Sequence, residues 1–483
     1  MLAIAGTAWW GWQRALDYLH GEELTVLVGN NLQRTMKWDA ELMPFSWEGS
    51  EAQSSGATAK GLDGAWLQSL KADLISTKFN MSSLWEGAWH LEHVTIEKAT
   101  LRLGPGSGQG SRELEPVDQA DREPAWYAQY LPSRSQLDKV HLEETQLQWD
   151  GGQWTGAEVL VKPRGDRWQV DAQGGLLSTD EEVIPSVTVQ KLIALAGSEG
   201  VTIEEAAVLP AGGGQINASG QVKAGGVVEV DLRIRELPVK PFLTEAQGQQ
   251  INGKLQADVE VVREANQAWS SQGRSQMLQA SLTGVPALDR VANILGMPEY
   301  RDLRFQTVSM NYKWQPGRTA IDQLVVEAEG LLKVEGAFVL VGNDIEGIFE
   351  VGVPPRALRR LPGAASQVFQ RDEGGYRWAR VEIKGPLANP QQDLVSRLIA
   401  APLLMPLDGL VSTVSAAGGV ALEGGGFLVN QATQVVTGGG RIILEGAGSV
   451  LRGGGRVLEE GGRGVLGIIE GIIPGRSRGA EED

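Results

Sequence analysis

The residues best equipped for chemistry are few. Four histidines, His20, His90, His93 and His141, stand in a chain of 483 residues that has no cysteine. A zinc site needs three or four His, Cys or carboxylate ligands converging on one point. His90 and His93 are three apart at a predicted strand entry, which puts them on opposite faces of an extended chain, so they read as exposed strand histidines. The acidic pairs Glu143-Glu144, Asp180-Glu181 and Glu204-Glu205 hold the two carboxylates that glycoside hydrolysis uses. They fall at turns or on the polar face of alternating segments, where carboxylates are solvated. No Gly-x-Ser-x-Gly elbow, Walker A sequence or His-Glu-x-x-His occurs. Neither an enzyme nor a metal or other cofactor is expected.

The elements that carry these residues follow one pattern. In Leu84 to Leu103, LWEGAWHLEHVTIEKATLRL, the apolar or small residues Leu91, Val94, Ile96, Ala99, Leu101 and Leu103 alternate with polar ones, interrupted by three-residue steps. Period-two alternation on either side of such a step predicts a strand, a bulge or tight bend, and another strand. The spacing returns from Leu137 to Trp149, from Tyr300 to Tyr312 and, in shorter form, from Val201 to Val208. Elsewhere the alternation is cleaner. Val228, Val230, Leu232 and Ile234 oppose Glu229, Asp231, Arg233 and Arg235; Leu255, Ala257, Val259 and Val261 repeat the scheme. Turns at Gln315-Pro316-Gly317 and Gly342-Asn343-Asp344 separate the later strands. The fold class is mainly β: a long antiparallel sheet built by accretion, apolar on one face and wet on the other, with a few short helices. One helix is predicted over Pro286 to Leu295, with Pro286 in its first turn. Some twenty strands stacked at roughly 4.8 Å would extend on the order of 100 Å.

A net charge of −17 with no Lys/Arg-rich run argues against nucleic acid and against electrostatic docking on anionic lipid. Any membrane contact must be hydrophobic. Absence of cysteine is compatible with a reducing or an oxidising compartment. The chain divides into six stretches. Residues 1–20 open with MLAIAGTAWWGW, too short to span a bilayer alone. They are expected to be a truncated or short membrane anchor with Trp9, Trp10 and Trp12 at the membrane interface. Residues 21–103 hold a short amphipathic helix and the first strands. Residues 104–136, rich in Gly, Pro and charge, are expected to be a mobile loop. Residues 137–285 are the middle β region and 286–390 the C-terminal one. Residues 391–483 form a Gly-rich tail, helical or partly disordered.

Two stretches resemble the AsmA-like family of bacterial envelope proteins, distant relatives of chorein-type, bridge-like lipid transfer proteins. The first is Gly21 to Leu103, with LKADLISTKFNMSSLWEGAWHLEHVTIEKATLRL at its end. The second is Leu288 to Pro390, with LDRVANILGMPEYRDLRFQTVSMNYKW, LLKVEGAFVL and VEIKGPLANP, closing on Gly385, Leu387 and Pro390. The resemblance implies a sheet curled into a groove, apolar inside, that carries phospholipid acyl chains across a Gram-negative-type periplasm between inner and outer membrane, the protein being associated with the inner one. The residues expected to line that groove are Val94, Ile96, Leu101, Leu103, Val140, Leu142, Val230, Leu232, Phe305, Val334 and Phe338. Trp149 and Trp314 are candidate lipid contacts. From periodicity alone a filled sandwich is an equal answer to the need to bury one face. It would suit a structural or assembly factor that acts through protein contacts.

Overall fold

A computed structural model describes residues 38–394 apart from 63–66, 81, 84–87, 105–133, 180–185, 198, 224–226, 244, 266, 362 and 387–390. The short helix, the anchor with Trp9, Trp10 and Trp12, most of the 104–136 stretch and nearly all of the tail lie outside the described residues. The rest is one sheet of 23 strands, and its two edges do not pair. In four places two short strands lie end to end along one long neighbour. Trp38–Leu42 and Phe45–Glu48 share Glu51–Gly61, Arg134–Leu137 and Val140–Trp149 share Ala88–Leu103, Asp302–Phe305 and Thr307–Gln315 share Ser270–Thr283, and the last pair flanks Tyr376–Pro386. The 23 strands therefore fill 19 lanes, a contour of about 90 Å at the usual spacing.

Register makes the alternation of the sequence into two different faces. Across six lanes Asn217, Arg233, Asp258, Arg274, Asn311 and Asp322 are paired in turn. One residue over, Ala218, Leu232, Val259, Gly273, Tyr312 and Ile321 are paired in the same way. Successive side chains of a strand point to opposite sides, so the charged row covers one face and the apolar row the other.

The three-residue steps are breaks in this register. Between Leu142 and Thr145 two residues face one on the neighbouring strand, and the same happens between Ile203 and Ala206. A shift between Lys78 and Phe79 leaves Glu92 as the extra residue in the step from Leu91 to Val94. The steps from Leu137 to Val140 and from Phe305 to Val308 are gaps between end-to-end strands. Near the step from Leu142 to Thr145 lies a line of irregular backbone: Leu74 at φ +54°, and Gly156 and Gly175 at φ +75° and +82° in facing positions. A Cβ on Gly175 would stand 2.6 Å from the Trp154 indole nitrogen, so both conformation and space require glycine there. Bulges bend a strand and increase its twist. Beside them runs a row of small residues, Ala57, Ala72, Ala99, Thr145, Ala157 and Gly174. Ala99 and Ala157 are 1% and 0% exposed. Small side chains along such a row leave room for the sheet to bend there.

Two findings depart from the expected antiparallel meander. Strand Ala88–Leu103 pairs in parallel with both Arg134–Leu137 and Val140–Trp149, so the chain must return the length of the strand between Leu103 and Arg134. Arg134–Leu137 also puts a strand where a loop was expected to run to residue 136. The helix Pro286–Leu295 has its predicted bounds and ends on Gly296 in the left-handed conformation, whose N–H reaches the Ala292 and Asn293 carbonyls. With Met297, Tyr300 and the segment from Ala357 to Phe369, it joins the apolar side chains of the last strands in one large buried cluster. The Tyr300 hydroxyl donates to the Leu331 carbonyl at 2.6 Å and ties this cover to a strand turn.

Candidate functional site

The apolar face is the feature that distinguishes this sheet, and the residues expected to line a groove all lie within its clusters. Val94, Ile96, Val140 and Leu142 share one cluster. Their registers extend into two rows: Thr77, Val94, Val140, Val161, Val170 and Ala194, and alongside it Ile75, Ile96, Leu142, Val159, Ala172 and Leu192. Leu101 and Leu103 lie beyond that row of small residues, with Trp38, Leu147 and Trp149. Val230 and Leu232 belong to a small cluster with Val222 and Trp269, and Leu232 also touches the large C-terminal one. Phe305, Val334 and Phe338 are part of that large cluster.

The two ends of the face differ. In the C-terminal lanes Ile321, Leu324, Phe338, Ile345, Phe349 and Val381 are 0–2% exposed, beneath or beside the helical cover. Phe338 stacks on Phe349 with ring centroids 5.7 Å apart. This part is a filled core. In the N-terminal lanes Ile75, Ile96, Val140, Leu142, Trp154 and Leu192 are only half-buried. Val334 and Phe338 thus lie inside packed protein, whereas Ile96, Val140 and Leu142 remain accessible.

Polar atoms also interrupt the N-terminal face. Thr77 and Thr145, 8% and 6% exposed, have hydroxyls with no hydrogen-bond partner, and the indole N–H of half-buried Trp149 has none either. Nothing in the sequence pattern singled out the two threonines, because a lone Thr on an apolar face is ordinary in strands.

The opposite face is laced with ion pairs between lanes. Lys98 meets Glu144 at 3.2 Å, Arg164 meets Glu204 at 3.1 Å, Lys191 meets Glu205 at 2.7 Å and Arg235 meets Asp258 at 3.0 Å. These exposed pairs contribute at most about 1 kcal/mol each. They also occupy Glu144, Glu204 and Glu205 of the acidic pairs weighed above for glycoside hydrolysis, and Glu143 is exposed beside them. Asp180 and Glu181 lie outside the described residues. An open concavity of about 830 Å³ on this side is lined by the same ladder residues, among them Asn217, Arg233, Asp258 and Arg274. Trp378 packs on this face too, with Arg371 and Lys333 over its ring at 5.1 and 5.9 Å.

The histidines have acidic neighbours that the linear pattern hid. His90 Nε2 is 2.9 Å from Asp138, and His141 Nε2 is 2.9 Å from Glu158. Among the described residues no group of three His, Asp or Glu is placed to hold a metal ion. His93 lies against His141, ring centroids 6.3 Å apart. Burial, then Lys139 and His141, hold its imidazole below the ordinary value of 6.5. The unfolded chain therefore takes up the proton first. His93's contribution to stability is whole above about pH 6.5 and is lost as pH falls through its lower folded value. Urea midpoints are expected to drop between pH 7 and pH 5, and to drop less in His93→Gln. An identical pH slope in the variant would remove His93 as a cause.

No described helix is long and apolar enough to cross a membrane. No protein-family model matches the chain, and neither a curated protein nor a solved structure matches it. The AsmA-like resemblance rests on the residue patterns quoted above.

Proposed function

We propose that the apolar face of this sheet binds phospholipid acyl chains and that the protein transfers lipid passively between the membranes of a Gram-negative-type envelope. The observation that carries this reading is the pair of apolar rows through Val94 and Ile96, in which Ile75, Ile96, Val140, Leu142, Val170 and Leu192 are only half-buried, on one side of an unclosed sheet whose other side is charged. A chain lying along them leaves water at about 0.8 kcal/mol per methylene, while its headgroup stays at the wet rim. Binding of this kind needs no catalytic group and little headgroup recognition. The AsmA-like resemblance supports the envelope setting.

The test is mass spectrometry of lipids extracted from the full chain purified without detergent. Phospholipid near one or more molecules per chain is the expected result. A folded, lipid-free protein would favour a second reading, a structural or assembly factor acting through protein contacts. The filled C-terminal cluster gives that reading its footing.

A further inference from the structure

Among the described residues, the unpartnered hydroxyls of Thr77 and Thr145 and the indole N–H of Trp149 all belong to the N-terminal lanes of the apolar face. The buried hydroxyls of Ser271 and Tyr312 in the C-terminal half have no hydrogen-bond partner either, but they lie near one another and each can act as donor or acceptor. A buried donor without an acceptor is destabilising, and its persistence calls for an explanation. Thr145 and Trp149 are on the same strand, separated on that face by Leu147, so donor, hydrocarbon and donor follow one another along one wall. Trp149 stands at the strand end, packed with Leu103 and Trp38. An indole N–H can only donate, and a threonine hydroxyl can donate at no conformational cost. The wall is therefore complementary to an apolar chain that carries acceptor oxygens.

We propose that this N-terminal wall selects ester-linked acyl chains, with Thr145 Oγ1 and Trp149 Nε1 donating to ester carbonyls. The proposal rests on the lipid-binding reading above and adds the linkage chemistry that the site recognises. Ether-linked chains fill the same space but lack the carbonyl acceptor. A ligand that satisfies these donors gains hydrogen bonds that its ether analogue cannot make.

The test incubates the full chain with vesicles of dioleoylphosphatidylcholine or of its diether analogue and measures the lipid retained after the vesicles are removed. Diester retention is expected to exceed diether retention roughly two- to tenfold, the worth of one or two net hydrogen bonds. Thr145→Val keeps the shape of the wall and Trp149→Phe keeps an aromatic face there without the N–H donor, and each is expected to shrink the ratio towards one. The urea midpoint of each variant separates a lost donor from a lost fold, and a Trp168→Phe control on the same sheet should keep the full ratio. Equal retention of both lipids by the unaltered protein would overturn the ester proposal and leave lipid binding standing. Retention of neither would overturn both, because the wall would then be covered by protein.

Discussion

Leu142→Asp is expected to abolish lipid loading without unfolding the sheet. Leu142 is flanked by Ile96 and Val159 in one of the two accessible apolar rows. It is half-buried, so an aspartate there can keep its carboxylate in water while the face is bare. An acyl chain laid across it would strip that water, at a cost of several kcal/mol. Bound lipid per chain should fall by about a hundredfold or more, while far-ultraviolet circular dichroism and the urea midpoint change little. Leu142→Ala, which removes contact area but adds no charge, should weaken loading much less. Normal loading in Leu142→Asp would mean that this row does not touch lipid.

Phe349→Ala should act on stability instead. Phe349 is 2% exposed, stacks on Phe338, and lies so near Gly336 that a Cβ there would be 2.9 Å from its ring. Removing a ring from such a site costs about 3–5 kcal/mol through lost burial and the cavity left behind. Equilibrium urea unfolding measures it, with Phe349→Leu expected to lose less. Lipid retained by the folded fraction should be unchanged, since the accessible rows belong to other clusters. A loss below about 1 kcal/mol would mean that the C-terminal end is not packed as a core.

Much of this architecture is legible in the order of residues. Alternation in Val228 to Ile234 and Leu255 to Val261 predicted strands that lie side by side in the sheet. Pro286 and the apolar spacing after it predicted a helix to the residue. The step from Leu142 to Thr145 predicted a bulge, because an extra residue must be inserted for both flanking alternations to face the same side. Other features left no local trace. Parallel and antiparallel strands share the period of two, so nothing in Ala88–Leu103 could announce that its next neighbour runs the same way. The helical turns from Pro355 to Val368 are too short for periodicity to register. The accessible and filled parts of the face share the same aliphatic residue types: Val140 and Val334 are alike in sequence, and only what packs above them separates their surroundings. Of the residues expected to line a groove, Val334 and Phe338 are in the buried core, Phe305 is half-buried against it, and Ile96, Val140 and Leu142 are half-buried in the rows around Val94 and Ile96.

The parallel junction divides the sheet in a way that bears on how it forms. On either side of it nearly every lane pairs with the strand just before it in the chain. Such contacts are local, close small loops, and favour quick growth from any hairpin. Between Leu103 and Arg134 the chain must instead travel before any pairing compensates for its ordering. Two meanders, Trp38–Leu103 and Val140 onward, can each nucleate and lengthen separately, and the seam where Ile96 meets Leu142 joins them afterwards. That seam lies in the middle of the accessible rows, so the surface proposed to hold lipid exists only once the two halves have found each other.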